Sequence, residues 1–103
     1  MNKRRAWQMV IDRDKGLSIR SGKAGSEVHH IVRRGDRATW EPRNMIVLTQ
    51  WEHQCDPRRA SLEYKFRDLS TLVQRYGYDY SDDMRWQGFI DWGLHVYGGL
   101  KPW

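Results

Sequence analysis

Three histidines and one asparagine between positions 29 and 53 are the residues whose types and spacing could do chemistry in this chain. His29 and His30 are adjacent, Asn44 follows fourteen residues after the pair, and His53 comes nine residues later still. Imidazole nitrogens bind divalent metals, and a neutral imidazole accepts a proton near neutral pH. These residues are therefore sufficient to hold one metal ion and to supply one general base, the chemistry that hydrolyses a phosphodiester.

Two short apolar segments are predicted to place these residues on a β-ribbon. Residues 27–32 are rich in β-branched side chains and predict one strand, and residues 45–49 predict a second strand that is buried on both faces. The polar segment 33–43 between them predicts a long functional loop, which suits antiparallel pairing. Because neighbouring side chains on a strand point to opposite faces, His29 and His30 cannot do the same job in regular geometry.

Helices are predicted on both sides of this ribbon. A first helix over residues 4–14 is expected to end at Gly16, and a helical turn over residues 50–55 carries His53. Because Asp caps helices and Pro fits the first helical position, residues 56–57 are predicted to begin the next helix.

The C-terminal part predicts two helices, the first ended by Gly77 and the second beginning at Ser81. The chain is therefore expected to be one α+β domain over residues 1–103, with a motif core at about 16–56 and helices over about 57–97. Apolar residues spread widely around the last helix, which predicts that it either packs on two sides or meets a partner.

Composition favours an anionic partner and limits the architecture. The chain has 103 residues and 18 Lys plus Arg against 13 Asp plus Glu, a net charge of +5. Most of the cations are Arg, whose planar guanidinium suits phosphate oxygens. Cys55 is the only cysteine, which excludes an intramolecular disulfide and a cysteine-built zinc site. With no long apolar run and no signal-peptide pattern, we expect a cytoplasmic protein of a bacterial or phage-infected cell.

Three parts of the sequence resemble the HNH endonucleases. They are residues 27–32 with the histidine pair, residues 43–48 with Asn44 before an apolar strand, and His53 nine residues after that asparagine. The resemblance covers about residues 16–56. It implies the ββα-metal (His-Me finger) fold, in which a long-loop antiparallel ribbon and the following helix clamp one metal ion.

The resemblance also implies roles for the four residues. His30 corresponds to the general base that takes a proton from the attacking water, and His29 and His53 correspond to metal ligands. Asn44 completes the catalytic set, either as a further ligand or as a clamp that holds the loop so that His30 points correctly; a simple turn residue is the alternative interpretation. Cleavage would leave a 5′-phosphate and a 3′-hydroxyl.

The chain departs from many HNH proteins where they bind a structural zinc ion through two Cys-x-x-Cys pairs. The matching positions here are Ser18, Ser21, Thr49 and Glu52, none of which is a thiolate, so no structural zinc is expected. Aromatic packing around the six Trp is predicted to stabilise the fold instead. A further ligand that some relatives carry one helical turn after the last histidine is replaced by Pro57.

Two imidazole ligands predict the preferred metal. Imidazole favours later transition metals, whereas Mg²⁺ prefers carboxylate and water. The expected cofactor is one divalent ion (Mn²⁺, Ni²⁺, Co²⁺, Zn²⁺ or Mg²⁺), with Mn²⁺, Ni²⁺ or Co²⁺ supporting cleavage better than Mg²⁺. Because the base must be neutral, activity is expected to fall below about pH 6.5, the ordinary histidine pKa.

Four arginines of the loop are predicted to bind phosphate groups, with a solvated loop as the alternative. They are Arg33, Arg34, Arg37 and Arg43. Trp40, in the same loop, is expected either to enter the core or to stack on a nucleotide, and the core is favoured.

The predicted function is that of a metal-dependent endonuclease that nicks or cuts double-stranded DNA, encoded by a phage or a mobile element. A non-catalytic nucleic-acid-binding module and an RNA-directed nuclease are the alternatives. No membrane partner is expected. Targeting would come from DNA shape, from a protein partner, or from a homodimer formed through the C-terminal helix.

Overall fold

Four helices and a two-stranded antiparallel ribbon form an α+β fold over the part of the chain that the structure describes. The structure is a computed structural model, and it describes residues 2–34, 37–38 and 40–103, with the backbone alone at 34, 37 and 38. The elements are α1 (Lys3–Asp14), β1 (Glu27–His30), β2 (Arg33–Arg34), β3 (Arg37–Ala38), a 3₁₀ turn (Pro42–Asn44), β4 (Met45–Leu48), α2 (Gln50–Gln54), α3 (Leu62–Tyr76) and α4 (Met84–Tyr97).

The ribbon forms where it was predicted but is shorter than predicted. Strands β1 and β4 pair antiparallel, with Glu27 opposite Leu48 at one end and His30 opposite Met45 at the other. Beyond His30 the backbone bonds to Asn44 instead of to a partner strand, which ends the ladder. The connecting segment also contains more than a loop, because the short strands β2 and β3 pair antiparallel within it.

The start of helix α3 differs from the prediction, because more than one residue before it can cap a helix. The prediction that residues 56–57 begin a helix was wrong: the Asp56 side chain accepts from the backbone of Arg58 in a turn. Helix α3 begins only after Ser61, whose hydroxyl accepts from the Tyr64 N–H. It ends at Gly77 as predicted, with φ at 67° in the left-handed region that favours glycine.

The last helix also begins later than predicted, at Met84, because Asp83 and not Ser81 provides the capping oxygen, which accepts from the Arg85 N–H. The first helix agrees with the prediction to within one residue, since Asn2 caps it and the chain leaves it at Lys15 in the left-handed conformation.

Alternate residues of β4 enter two separate apolar clusters, which is why this strand is buried on both faces. One cluster lies against α1 and contains Ala6, Val10, Met45 and Val47. The larger one lies against α3 and α4 and contains Ile19, Ile31, Val32, Ile46, Leu48, Leu69, Leu72, Tyr80, Trp86 and Ile90. The ribbon is therefore the middle layer of the fold, with helices on both sides.

This layering separates the adjacent histidines. Residues that pair across an antiparallel ribbon share a face, and His29 lies opposite Ile46 whereas His30 lies opposite Met45. His29 is thus on the α3–α4 face and His30 on the α1 face. Because β1 ends at His30, that ring lies at the edge where the two faces meet.

The predicted aromatic core is only partly correct. Trp86 is 2% exposed inside the larger cluster, but Trp51 is 59% exposed on α2. Trp40 packs against the α1 cluster, as favoured from the sequence. Among the described helices, none combines the length and the apolar character needed to cross a membrane.

Candidate functional site

The fold brings His29, His30 and His53 to one cleft of about 560 Å³. The rings of His29 and His53 lie edge to face with their centroids 5.3 Å apart. His29 reaches the cleft from β1 and His53 from the short helix α2, which packs on β1. The other lining residues are Val28, Ile31, Val32, Arg33, Arg59, Ala60, Lys65, Arg85 and Phe89.

His29 is a buried ring held in its neutral form. Burial lowers the pKa of His29 to about 3, and the positive charges of Arg20 and Lys65 contribute. Its Nε2 atom is buried and has no hydrogen-bond partner among the described residues. Because buried polar atoms are almost always bonded, a nitrogen left in this state is available to a ligand.

His30 has the same two properties on the other face of the strand. Burial lowers its pKa, with the nearby charge of Arg33 as a further cause, so the ring is neutral at neutral pH. Its Nε2 is also buried without a hydrogen-bond partner in the described part of the chain. The edge of Trp40 lies against it, with ring centroids 4.6 Å apart, and limits the positions that the imidazole can adopt.

Glu27 orients His53, a contact that the sequence analysis missed. The Glu27 carboxylate lies 2.7 Å from His53 Nδ1, and it also accepts two 2.9 Å hydrogen bonds from the Gln54 amide. The hydrogen bond with His53 is the main cause that lowers the pKa of Glu27. A carboxylate on one ring nitrogen fixes the tautomer and directs the other nitrogen toward a metal. Glu27 lies two residues before His29, on the same face of β1, and that spacing was the available signal.

Asn44 holds the long loop against the start of β4. Its Oδ1 accepts from the Val32 N–H at 2.9 Å and from Trp86 Nε1 at 3.0 Å, and its Nδ2 donates to the Val32 carbonyl at 2.7 Å. Asn44 is fully buried and is not among the lining residues of the cleft. Both ends of the amide are thus engaged in the arrangement expected of a clamp, and Trp86 is a partner that the sequence did not indicate.

The donor set of the cleft fits a transition metal held by two imidazoles. No group of three or more His, Cys, Asp or Glu is arranged for a metal within the described residues. Two imidazoles could nevertheless take part: His29 has a buried nitrogen with no partner among the described residues, and His53 has its Nδ1 fixed by Glu27. A metal-bound imidazole nitrogen lies about 2.1 Å from the ion, so rings 5.3 Å apart are close enough to share one ion.

The cleft is lined by cations and, within the described part of the chain, by no carboxylate. Its cations are Arg33, Arg59, Lys65 and Arg85, of which the sequence analysis named only Arg33. Three of them lie after the motif in sequence, Arg59 in the segment after α2, Lys65 on α3 and Arg85 on α4. Tertiary packing, which no local pattern reveals, brings them to the histidines.

Arg43, another predicted phosphate-binding arginine, is not among the residues that line the cleft. Arg43 donates to the Asp82 carboxylate at 2.6 Å and to the Asp79 carbonyl at 2.7 Å, and its guanidinium lies 4.2 Å from the Trp86 ring centre. These contacts tie the loop to the start of α4. The side chains of Arg34 and Arg37 lie outside the described residues.

The four positions that match zinc-binding cysteines in HNH proteins form a hydrogen-bonded cluster around Glu52, here called the Glu52 cluster. Glu52 is 8% exposed, and its carboxylate accepts from the Thr49 N–H at 2.8 Å in a capping box. Burial raises the pKa of Glu52, but hydrogen bonds from Ser18, Thr49 and Ser21 outweigh it and lower the pKa overall.

No protein-family model, curated protein or solved structure matches this chain. What the protein does is therefore inferred from the cleft itself: its three histidines, its cations, and the motif that these residues resemble.

Proposed function

We propose that this protein is a metal-dependent endonuclease of the HNH type that hydrolyses phosphodiester bonds of double-stranded DNA. The observation that supports this most is that His29 and His30 each have a buried imidazole nitrogen with no partner among the described residues, in a cleft lined by cations. A module that only binds nucleic acid needs no neutral imidazole buried in its groove. The proposal includes the ββα-metal arrangement, with β1, β4 and α2 as its three elements.

His29 and His53 would hold the divalent ion, and Glu27 would keep His53 in the required orientation. When bound, such an ion stabilises the negative charge that develops on the scissile phosphate and on the leaving 3′-oxygen. The protein contributes the burial that keeps His29 neutral, since only a neutral imidazole binds a metal.

His30 would act as the general base. Its neutral ring takes a proton from a water molecule, whose oxygen bonds to phosphorus while the bond from phosphorus to the 3′-oxygen breaks. The leaving 3′-oxygen takes a proton from solvent water, so the products are a 5′-phosphate and a 3′-hydroxyl. Asn44 and Trp40 do not touch the reacting atoms, and they act by holding the loop and the His30 ring in place.

The cations favour a phosphodiester backbone as the ligand of the cleft. Arg33 and Arg59 are exposed at its rim, and Arg85 donates to the Arg33 carbonyl at 2.7 Å, which ties α4 to the strand that follows β1. Guanidinium groups at the rim suit successive phosphates of a nucleic-acid strand.

A plasmid-nicking assay tests the proposal. Supercoiled plasmid is incubated with the protein and Mn²⁺, Ni²⁺, Co²⁺ or Mg²⁺, with EDTA as a control, and His30→Ala is compared with His95→Ala. His95 is an exposed histidine on α4, so its loss removes an imidazole without touching the cleft. We expect nicking with the transition metals and a loss of about 10²–10⁴-fold in His30→Ala alone.

The alternatives give different results in the same assay. Retention of plasmid without nicking under every metal indicates a binding module, and cleavage confined to an RNA substrate indicates an RNA-directed nuclease. Full activity with Mg²⁺ alone contradicts the ligand assignment, and His30→Ala with parental activity contradicts the base assignment.

A further inference from the structure

Lys65 is a cation in the wall of the cleft that His29, His30 and His53 line, here called the histidine cleft, and it has no ion pair with a described residue. It lies in the first turn of α3, its side chain is partly buried, and it lines the cleft beside His29. Its ammonium donates to the Ala60 carbonyl at 3.3 Å, and no carboxylate within the described residues forms an ion pair with it. Lys65 and the three histidines line the same cleft, so its ammonium can reach an anion bound beside them.

Two cations near Lys65 are paired with carboxylates. Arg20 bonds to Asp68 at 2.7 Å, and Lys101 bonds to Glu63 at 3.0 Å. Asp68 lies three residues after Lys65 on the same helix face, but its oxygens are occupied by Arg20 and by Trp103 Nε1. The negative charge of Asp68 opposes the lowering of the Lys65 pKa from a distance, but no carboxylate of the described residues forms an ion pair with the Lys65 ammonium.

An ammonium group in this state is costly unless an anion joins it. Removing a charge from water without a partner is unfavourable, and burial accordingly lowers the pKa of Lys65. The cleft offers that ammonium the neighbouring imidazoles and other cations, and a phosphate oxygen is the group that would complete the set.

We propose that Lys65 binds a non-bridging oxygen of the phosphodiester that is cleaved beside His29, His30 and His53. This inference rests on the proposed function and extends it, because it makes α3, outside the resemblance to HNH endonucleases, a part of the catalytic site. Lys65 then stabilises charge that grows on the phosphoryl oxygens in the transition state, which raises kcat in addition to strengthening binding.

Two charge-matched variants test the proposal. Lys65→Met and Lys101→Met each remove one lysine charge, but Lys101 is paired with Glu63 and is not among the residues that line the cleft. The affinity of a fluorescein-labelled duplex for the metal-free protein is measured in EDTA over a range of salt concentrations. We expect Lys65→Met to weaken binding about 10-fold and to reduce the salt slope by about one, with Lys101→Met close to the parent.

Cleavage kinetics with Mn²⁺ give the second measurement. We expect kcat to fall about 100-fold in Lys65→Met and to recover partly in Lys65→Arg, with Lys101→Met unchanged. If Lys65→Met binds duplex and cleaves it as the parent does, the inference is wrong while the endonuclease proposal stands. If the parent cleaves nothing but Lys65→Met loses duplex affinity, the endonuclease proposal fails and Lys65 remains a phosphate contact.

Thermal unfolding separates these effects from loss of structure. Because the Lys65 ammonium has no ion pair within the described residues, Lys65→Met should unfold within a few degrees of the parent. If it does not fold, Lys65→Gln keeps a polar end at the same position and replaces it in both measurements, with the same results expected and the same result contradicting the inference.

Discussion

Helix α2 contributes adjacent residues to two polar sites that differ in whether their buried polar atoms have hydrogen-bond partners. Glu52 enters the Glu52 cluster, where the Thr49 N–H donates to its carboxylate and the neighbouring Ser18 and Ser21 help to lower its pKa. His53 enters the histidine cleft, where the buried nitrogens of two other histidines have no partner within the described residues. Buried polar atoms in folded proteins normally have hydrogen-bond partners, as in the Glu52 cluster. Buried nitrogens without such partners, as in the histidine cleft, are typical of functional sites.

Replacing His29 is expected to have the largest effect on the difference between the two sites. His29→Leu keeps a similar volume but has no nitrogen, so we expect metal-dependent nicking to fall more than about 100-fold. In EDTA the same variant should be more stable by about 1 kcal/mol, because a buried nitrogen without a partner is gone. Plasmid nicking and urea unfolding check both results. A less stable His29→Leu would mean that the ring contributes to the fold and is not reserved for a ligand.

Asn44 should behave as a structural residue in spite of its place in the motif. In Asn44→Ala the N–H and carbonyl of Val32 and the indole N–H of Trp86 all lose their partner. We expect the free energy of unfolding to fall by about 3 kcal/mol, as measured by urea denaturation. Nicking should fall with it, while the metal affinity of the folded fraction is retained. If stability is unchanged and metal affinity is lost, Asn44 is a ligand and not a clamp.

Glu27→Gln tests the role of the β1 carboxylate that bonds to His53. The amide can still bond to His53, but it no longer supplies the negative charge that makes the ring a better ligand. We expect the affinity for Mn²⁺, measured by isothermal titration calorimetry, to fall about 10-fold to 100-fold. The unfolding temperature, measured by thermal unfolding, should be nearly unchanged. Parental metal affinity in this variant would show that Glu27 only ties β1 to α2.

Glu52→Ala is expected to have the smallest effect and the opposite signature. It removes the carboxylate that accepts from the Thr49 N–H in the capping box, so we expect a loss of about 1–2 kcal/mol in unfolding free energy. The nicking rate of the folded protein should stay at the parental value. Glu63→Ala, which breaks only the partly exposed pair with Lys101, is the matched control and should cost less. A Glu52→Ala that folds normally but does not nick would contradict the separation of the two sites.

Local patterns predicted the elements that carry the site. Apolar runs placed the two strands of the ribbon, and Gly77 ended α3 as expected because a left-handed residue stops a helix. The same reasoning failed at residues 56–57, where Asp56 caps a turn and Ser61 caps the helix. Several capping residues occur there, and only packing of the following apolar face decides which one is used.

Partners in space could not be predicted in the same way. The bond from Trp86 to Asn44 joins residues 42 positions apart, and the contact of Glu27 with His53 joins residues 26 apart. Arg43 shows the converse, since it resembles a phosphate contact in sequence but bonds to Asp82 in the fold. Charge and spacing alone do not distinguish an arginine used for structure from one left for a ligand.

The sequence by itself determined which groups can do chemistry and on which elements they lie, because imidazole chemistry and strand alternation are local properties. That His29 and His30 point to different faces follows from the two-residue period of a strand. Only the tertiary structure decided that both rings and His53 share one cleft, that Glu27 bonds to His53, and that Lys65 lines the wall. Those facts depend on how helices pack across the ribbon, and long-range packing is set by the whole core and not by any segment of it.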